Sequence, residues 1–458
     1  MPFDHWRHHY GWIVGALLIM VAVAIIFLQF RAARPFRLFH IAALAGGLAI
    51  GGLLFIPAVP RIVTALRQLM IARAPTETSG PFPVATVDIT LPAAIASETA
   101  IPIQIWYPTT NQPMAVPGLP ESIAPQSCPE ILEHRRLADA QAKFSVLLYA
   151  PGNGGEKTDS TSTAAELASH GYIVVAIDDI DRSPGATGGV DKESQPLAFD
   201  FSSAEAFKGT LRTADRKVRR QAERALMALD RLEVCANADW RRGVRFDRVG
   251  FFGFSFGGST AAEAATFDPR VAAAANLDGW LFGRAALAEF EKPYMVILIE
   301  DDVFPGAAQL QSLDANKRYS ATLTDREMRD EIRLANRSQG FGFRIPNTYH
   351  ENLSDQAFGR GFFKSWLVVN PYRVKSIRDA YLLAFFDTYL RDKASPLLTQ
   401  SPSPFDEVEI LKGNQYWLNE AAKSKANPPM VRFFEPLGPS LILQHVVRIG
   451  MYRRKPRR

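Results

Sequence analysis

Gly253-Phe254-Ser255-Phe256-Gly257 is a G-x-S-x-G sequence in a setting that lets its serine attack. Residues 248–252 (Arg-Val-Gly-Phe-Phe) read as a short buried strand, and residues 258–265 read as the first turns of a small-residue helix. Strand, tight turn and helix in that order make a nucleophile elbow. The turn strains the serine backbone, and the flanking glycines bring no Cβ to clash with it. Ser255 Oγ is then presented at the top of a sheet. The helix N-terminus and the Phe256 N–H lie where an oxyanion would form.

A serine hydroxyl is a poor nucleophile at neutral pH. It needs an imidazole base, and the imidazole needs an acid that fixes its tautomer. In α/β hydrolases, which use such an elbow, the chain order is Ser, then acid, then His. Of the eight histidines, His350 and His445 alone follow Ser255. His445 sits in a basic tail. His350 lies in the polar loop Asn347-Thr348-Tyr349-His350-Glu351-Asn352, just after the strand-like 341–344, so His350 is the expected base. Asp278 follows the strand-like 270–277, and Asp301 and Asp302 follow the strand-like 293–300. Both places lie at the same sheet edge as Ser255, so topology leaves the acid open.

The elements that must position these groups alternate between two periods. Residues 84–90 and 101–107 alternate apolar and polar, and read as antiparallel strands. Residues 144–150 (FSVLLYA) and 171–177 (GYIVVAI) are continuous apolar runs, with a helix expected at 161–169 between them. A helix at 216–233 precedes the elbow strand, and a final helix covers 374–391. Apolar strands alternating with helices predict a mostly parallel sheet covered on both faces. Phe304 to Arg344 reads as a long insert holding a helix at 325–336, with Thr324 and Glu327 set as a capping box. Such an insert is either a substrate lid or a surface excursion.

The chain has 458 residues, 47% hydrophobic and 22% charged, which fits a globular chain with some membrane sequence. Much of its net charge of +5 comes from the tail, since 452–458 holds five basic residues. Two cysteines, Cys128 and Cys235, exclude a cysteine-rich scaffold and a four-thiolate zinc site. Residues 11–30 and 38–59 are each apolar over about 20 residues, enough to cross ~30 Å of hydrocarbon. The short basic link 31–37 predicts a transmembrane hairpin. The expected organisation is a hairpin over 1–60, an amphipathic linker over 61–81, a catalytic domain over 82–425 and a basic tail over 426–458. The expected location is a two-span membrane protein, its catalytic domain leaning to the extracytoplasmic side.

Several ordered motifs resemble the platelet-activating factor acetylhydrolases. They are Gly253-Phe254-Ser255-Phe256-Gly257-Gly258, Leu277-Asp278-Gly279-Trp280 and Tyr349-His350-Glu351-Asn352-Leu353-Ser354-Asp355. Ala168-Ser169-His170-Gly171 and Asp181-Arg182-Ser183 also look like signatures of that family. The resemblance runs from about residue 82 to 390. This chain departs from the family with Phe254 for His, Gly279 for Ala and Glu351 for Gln. The resemblance implies an α/β-hydrolase fold with Ser255 as nucleophile, Asp278 as acid and His350 as base. Asp301 and Asp302 remain the alternative acids. It also implies two oxyanion donors, the N–H groups of Phe256 and Asn153. The family has an apolar residue at the Asn153 position, in Pro151-Gly152-Asn153-Gly154.

The resulting expectation is a serine ester hydrolase working through an acyl-enzyme, without metal or cofactor and with no nucleic-acid partner. The resemblance implies short or oxidised acyl groups of phospholipids as a substrate class, and membrane lipid as a partner. Other readings are an esterase on another small ester or polyester, an acyltransferase, and a catalytically silent binding protein. Chemical labelling of Ser255 separates the last from the rest.

Overall fold

A computed structural model describes residues 75–93, 99–110, 137–138, 143–182, 197–287, 291–359 and 370–423. In chain order these form β1 (Val84–Leu91), β2 (Ile101–Pro108), β3 (Phe144–Ala150), α1 (Thr161–Ser169), β4 (Tyr172–Ile177), α2 (Ala204–Cys235), α3 (Ala238–Gly243) and β5 (Val244–Phe254). Then come α4 (Phe256–Phe267), β6 (Val271–Leu277), β7 (Tyr294–Leu298), α5 (Ala307–Leu310), α6 (Ala315–Ala335), β8 (Gly340–Arg344), α7 (Pro371–Arg391), β9 (Glu409–Ile410) and α8 (Gln415–Lys423). Among the described residues, the nine strands make one sheet in the order β1-β2-β4-β3-β5-β6-β7-β8-β9. Neighbours from β4 through β8 pair in parallel, whereas β1–β2, β2–β4 and β8–β9 pair antiparallel.

Strands β3, β4 and β7 are buried at every position because helices cover both faces. In β3, Val146, Leu148 and Ala150 point into one core and Leu147 and Tyr149 into the other. The period of two in a strand dictates that split. The first core is closed by Ala222, Ala225, Leu229 and Leu232 of α2, with Ala261 and Ala264 of α4 and Met328 and Ile332 of α6. The second is closed by Leu167 and Ala168 of α1 and by Ile377, Tyr381, Phe385 and Phe386 of α7. Burying each such large side chain is worth about 1.5–3 kcal/mol relative to leaving it in water. This mixed, mostly parallel sheet is consistent with the expected α/β-hydrolase fold.

Some boundaries differ from expectation. The helix expected at 216–233 begins at Ala204, where Ser203 Oγ accepts the Ala206 N–H at 3.1 Å. Thr324 and Glu327 are not a capping box. The helix starts nine residues earlier than Thr324, at Ala315, and Asp314 caps it by accepting the Asn316 N–H at 2.9 Å. Thr324 instead bonds the Ser320 carbonyl inside the helix at 3.2 Å, as mid-helix threonines do. Nor is the insert a lid or an ornament. Its helix α6 is the crossover between β7 and β8, with Met328, Ile332 and Leu334 in the core.

The expectation of a multi-pass membrane location is corrected. Among the described residues no helix is long and apolar enough to cross a membrane. The segments 11–30 and 38–59, and the tail from 426, lie outside the described residues. Cys235, at the end of α2, is disulfide-bonded. The other cysteine of the sequence, Cys128, lies outside the described residues.

Candidate active site

Ser255 links β5 to α4 with φ 55° and ψ −125°, a region that L-residues avoid. The turn is held from both sides. The Ser255 N–H donates to the Leu277 carbonyl at 2.8 Å, and its own carbonyl accepts the Gly258 N–H at 2.9 Å. A Cβ at Gly257 would lie 1.9 Å from the Ala150 carbonyl oxygen, and one at Gly253 would lie 2.1 Å from the Gly257 carbonyl carbon. Both glycines are therefore required by close backbone approach. Phe256 opens α4, so its N–H belongs to the helix end that lacks internal acceptors.

Asp278 ends β6 and is likewise left-handed, with φ 58°. Its N–H is fixed by the Ile297 carbonyl at 3.0 Å. His350 Nδ1 donates to Asp278 Oδ2 at 2.5 Å, joining residues 72 apart in sequence. The Asp278 side chain is 5% exposed and that of His350 40%. The buried carboxylate thus orients an imidazole open to solvent, and Nε2 is left as the nitrogen that can take up a proton. The Phe254 ring lies against the imidazole, with centroids 4.5 Å apart. Where the related motif has a histidine, this chain places an apolar ring against the imidazole.

Burial pushes the Asp278 carboxyl up to about 6, helped by the negative charges of Asp301 and Glu351. Asp302, one of the alternative acids, is neighbour to Asp278 rather than remote from it. Burial and the adjacent Asp278 carboxylate raise Asp302 well above the ordinary range. Its Oδ2 accepts the Ile299 N–H at 2.8 Å. Each buried carboxyl group thus disfavours the ionisation of the other. Asp301 is exposed. Thr324, Glu327, Met328 and Glu331 of α6 close the space behind the pair.

Gly279 replaces the alanine of the family motif for a steric reason. A Cβ there would lie 1.9 Å from the Ser255 carbonyl oxygen. The turn after the acid and the elbow are packed backbone to backbone, and Asn276 Oδ1 accepts the Gly279 N–H at 2.9 Å within that contact.

The loop after β3 borders the serine. A Cβ at Gly152 would lie 3.2 Å from Ser255 Cβ and 3.6 Å from its Oγ. Asn153 does not turn its amide loose into this space. Its Oδ1 accepts the Leu197 N–H at 2.9 Å and the Lys217 ammonium at 2.6 Å, and its Nδ2 donates to the Leu197 carbonyl at 2.9 Å.

The His350 loop is anchored through Asp355, whose carboxylate accepts both the Ser162 N–H at 2.7 Å and the Ser162 hydroxyl at 2.5 Å. Ser162 lies in the first turn of α1, where an anion is favoured. The Ala168-Ser169-His170-Gly171 motif is structural here, since the Ser169 carbonyl takes the Phe82 N–H at 3.0 Å and its Oγ takes the Gly80 N–H at 3.1 Å.

Sequence reasoning missed the Asp278–Asp302 pair and Lys217. The pair needed the adjacency of β6 and β7. Lys217 carried a usable signal, because it lies between the buried positions Ala214 and Gln221 on the inner face of α2.

Residues 127–359 match the family described as platelet-activating factor acetylhydrolase, isoform II. A platelet-activating factor acetylhydrolase of Gallus gallus is 23% identical over 282 residues, covering 54% of this chain and 62% of that protein. The Cavia porcellus protein of the same name is 25% identical over 188 residues, covering 38% and 43%. Among solved structures, a ferulic acid esterase from Streptomyces cinnamoneus aligns at a TM-score of 0.46 and 20% identity, over 74% of this chain and 99% of that one. The matched family is one of hydrolytic enzymes, and the match spans half of this chain. The chain belongs to the platelet-activating factor acetylhydrolase family. It spans about three-fifths or less of the length of these two curated relatives.

Proposed function

We propose that this protein is a serine ester hydrolase in which Ser255 attacks the carbonyl, His350 relays the proton and Asp278 holds the imidazolium. The observation that carries the reading is the 2.5 Å bond from His350 Nδ1 to the buried Asp278 carboxylate, beside a serine held at φ 55°. In the first step Ser255 Oγ bonds to the ester carbon while its proton passes to His350 Nε2. The tetrahedral oxyanion is met by the N–H groups of Phe256 and Asn153. Collapse expels the alcohol, which takes the proton from His350. Water, deprotonated by the same imidazole, then releases the acid and frees Ser255. The ionised Asp278 makes the protonated imidazole less costly in both halves.

Family membership supports an ester of a phospholipid as substrate, with a short or oxidised acyl group such as acetyl. The test is hydrolysis of p-nitrophenyl esters of rising chain length, followed by a 1-alkyl-2-acetyl glycerophosphocholine. A steep preference for acetyl and butyryl, with release of acetate from the phospholipid, is the expected result. Turnover of p-nitrophenyl esters with no release from the phospholipid would remove the phospholipid assignment and leave the esterase.

A further inference from the structure

Lys217 of α2 is a lysine on a buried helix face, its side chain 8% exposed. Buried ammonium groups persist when their charge is fully met. Here the Nζ atom reaches Asp181 Oδ2 at 2.5 Å, Asp179 Oδ2 at 3.0 Å and Asn153 Oδ1 at 2.6 Å. It also lies 5.1 Å from the centre of the Phe256 ring. Asp179 passes the constraint on, because its Oδ2 accepts the Gly154 N–H at 2.8 Å and its own N–H donates to the Gly155 carbonyl at 3.2 Å. The segment carrying both aspartates is tied to the same helix by Gln221, whose Oε1 accepts the Ile180 N–H at 2.7 Å.

These contacts converge on two residues, Asn153 and Phe256. They lie 103 positions apart and share no secondary-structure element. Their common feature is that each supplies a backbone N–H to the oxyanion in the mechanism proposed above. A lysine that merely fastened α2 to the sheet would need one carboxylate. This one fixes the amide of Asn153 and lies by the ring of Phe256, and so sets the two peptide planes relative to each other. We infer that Lys217 is the positioning residue of the oxyanion hole, acting through the Asn153 amide and the Phe256 ring without touching substrate. The inference rests on the esterase reading proposed above.

A displaced oxyanion donor weakens transition-state binding and leaves ground-state binding nearly untouched. Loss of one donor costs about 10²–10³ in kcat, and a misplacement of about 1 Å can cost about 10². The experiment uses the full chain with Lys217→Met, Lys217→Arg, Asn153→Ala and the Lys217→Met/Asn153→Ala double variant. Hydrolysis of p-nitrophenyl acetate gives kcat and KM. Inhibition by an aryl trifluoromethyl ketone, whose serine adduct places an oxyanion in the same hole, reads that hole directly. Lys217→Met is expected to lose about 10²-fold in kcat, with KM within about threefold. Its affinity for the ketone should fall by about the same factor as kcat. Asn153→Ala keeps the backbone N–H and should lose about tenfold in the same pattern, and Lys217→Arg should stay within about tenfold of wild type. The double variant should be no worse than Lys217→Met by more than about twofold, because both changes break one network. Folded Lys217→Met and Asn153→Ala proteins with kcat and ketone affinity within about threefold of wild type would overturn the inference. Should Lys217→Met fail to fold, Asn153→Ala decides by the same criterion. A wild-type chain inert to both ester and ketone overturns the esterase reading, and this inference with it.

Discussion

Replacing Asp278 with Asn is expected to make the protein more stable and nearly inactive. Holding the Asp278 carboxyl charged at neutral pH has a cost, because burial raises it from 3.8 to about 6. At about 1.4 kcal/mol per unit, that shift of roughly two units corresponds to ~3 kcal/mol of destabilisation at pH 7. Asparagine has no charge to desolvate and relieves the neighbouring Asp302 as well. It also loses the charge-assisted bond to His350, worth about 1.5–3 kcal/mol when replaced by nothing and less when an amide takes its place. The net expectation is a gain of about 1–2 kcal/mol at pH 7. The sign in pH follows from the raised value. Between about 6 and 3.8 the folded state binds the Asp278 proton and the unfolded state does not, so wild-type stability gains from this group as pH falls through that window. The advantage of Asp278→Asn should therefore shrink and be lost as pH falls through that window. Activity moves the other way, with a loss of about 10⁴ in kcat because the amide favours the wrong imidazole tautomer. Urea melts of both proteins at pH 7, 5.5 and 4.5, paired with p-nitrophenyl butyrate kinetics, measure both. An Asp278→Asn protein less stable than wild type at pH 7, or a stability difference that grows on acidification, would refute the reasoning about the buried charge.

Ser255→Ala should abolish labelling by a fluorophosphonate and cut kcat by several orders of magnitude while the thermal melt is unchanged, and near-normal turnover would remove the nucleophile assignment. Burial and the adjacent Asp278 push Asp302 towards its neutral form, which an amide resembles, so Asp302→Asn should keep kcat within about tenfold of wild type, and Asp301→Asn within about twofold. A loss of about 10³ or more in either would return the acid role to that position. Gly279→Ala places a methyl 1.9 Å from the Ser255 carbonyl oxygen. It should cost about 1–3 kcal/mol by urea denaturation and lower kcat together with it, whereas an unchanged midpoint would show that the two turns can separate.

The strand, turn and helix around Ser255 were legible in the sequence because each is a local matter. Gly253 is required by the Gly257 backbone four residues on, and a G-x-S-x-G turn before a small-residue helix is read from adjacent residues, although the close approach at Gly257 is to Ala150 on the next strand. The central strands were legible for a related reason, since a run such as Phe144–Ala150, apolar but for Ser145, fits a strand covered on both sides. Helix starts were not. Thr324 and Glu327 have capping chemistry, but nothing local told that Asp314 would claim the start and that the intervening turns would pack on β7 and β8. The short β9 is two residues long and exists through its pairing with β8.

The acid marks the same division more sharply. Topology alone left Asp278, Asp301 and Asp302 open, because β6 and β7 are neighbours and both end at the edge that carries Ser255, and the family resemblance pointed to Asp278 with the other two as alternatives. Which carboxylate meets His350 depends on the path of the loop from Arg344 to His350 and on its anchor, Asp355 on the first turn of α1. Those contacts join residues 193 apart in sequence. Helical spacing places Lys217 on the inner face of α2, but its partners are beyond any local pattern. They appear only when α2 is laid against the loops after β3 and β4, where two carboxylates and an amide gather around the ammonium. What the sequence determined by itself was the set of groups able to do chemistry and the local turns that expose them. Only the tertiary structure decided their partners, because distance, burial and shared protons are properties of segments brought together by the sheet and not of any segment alone.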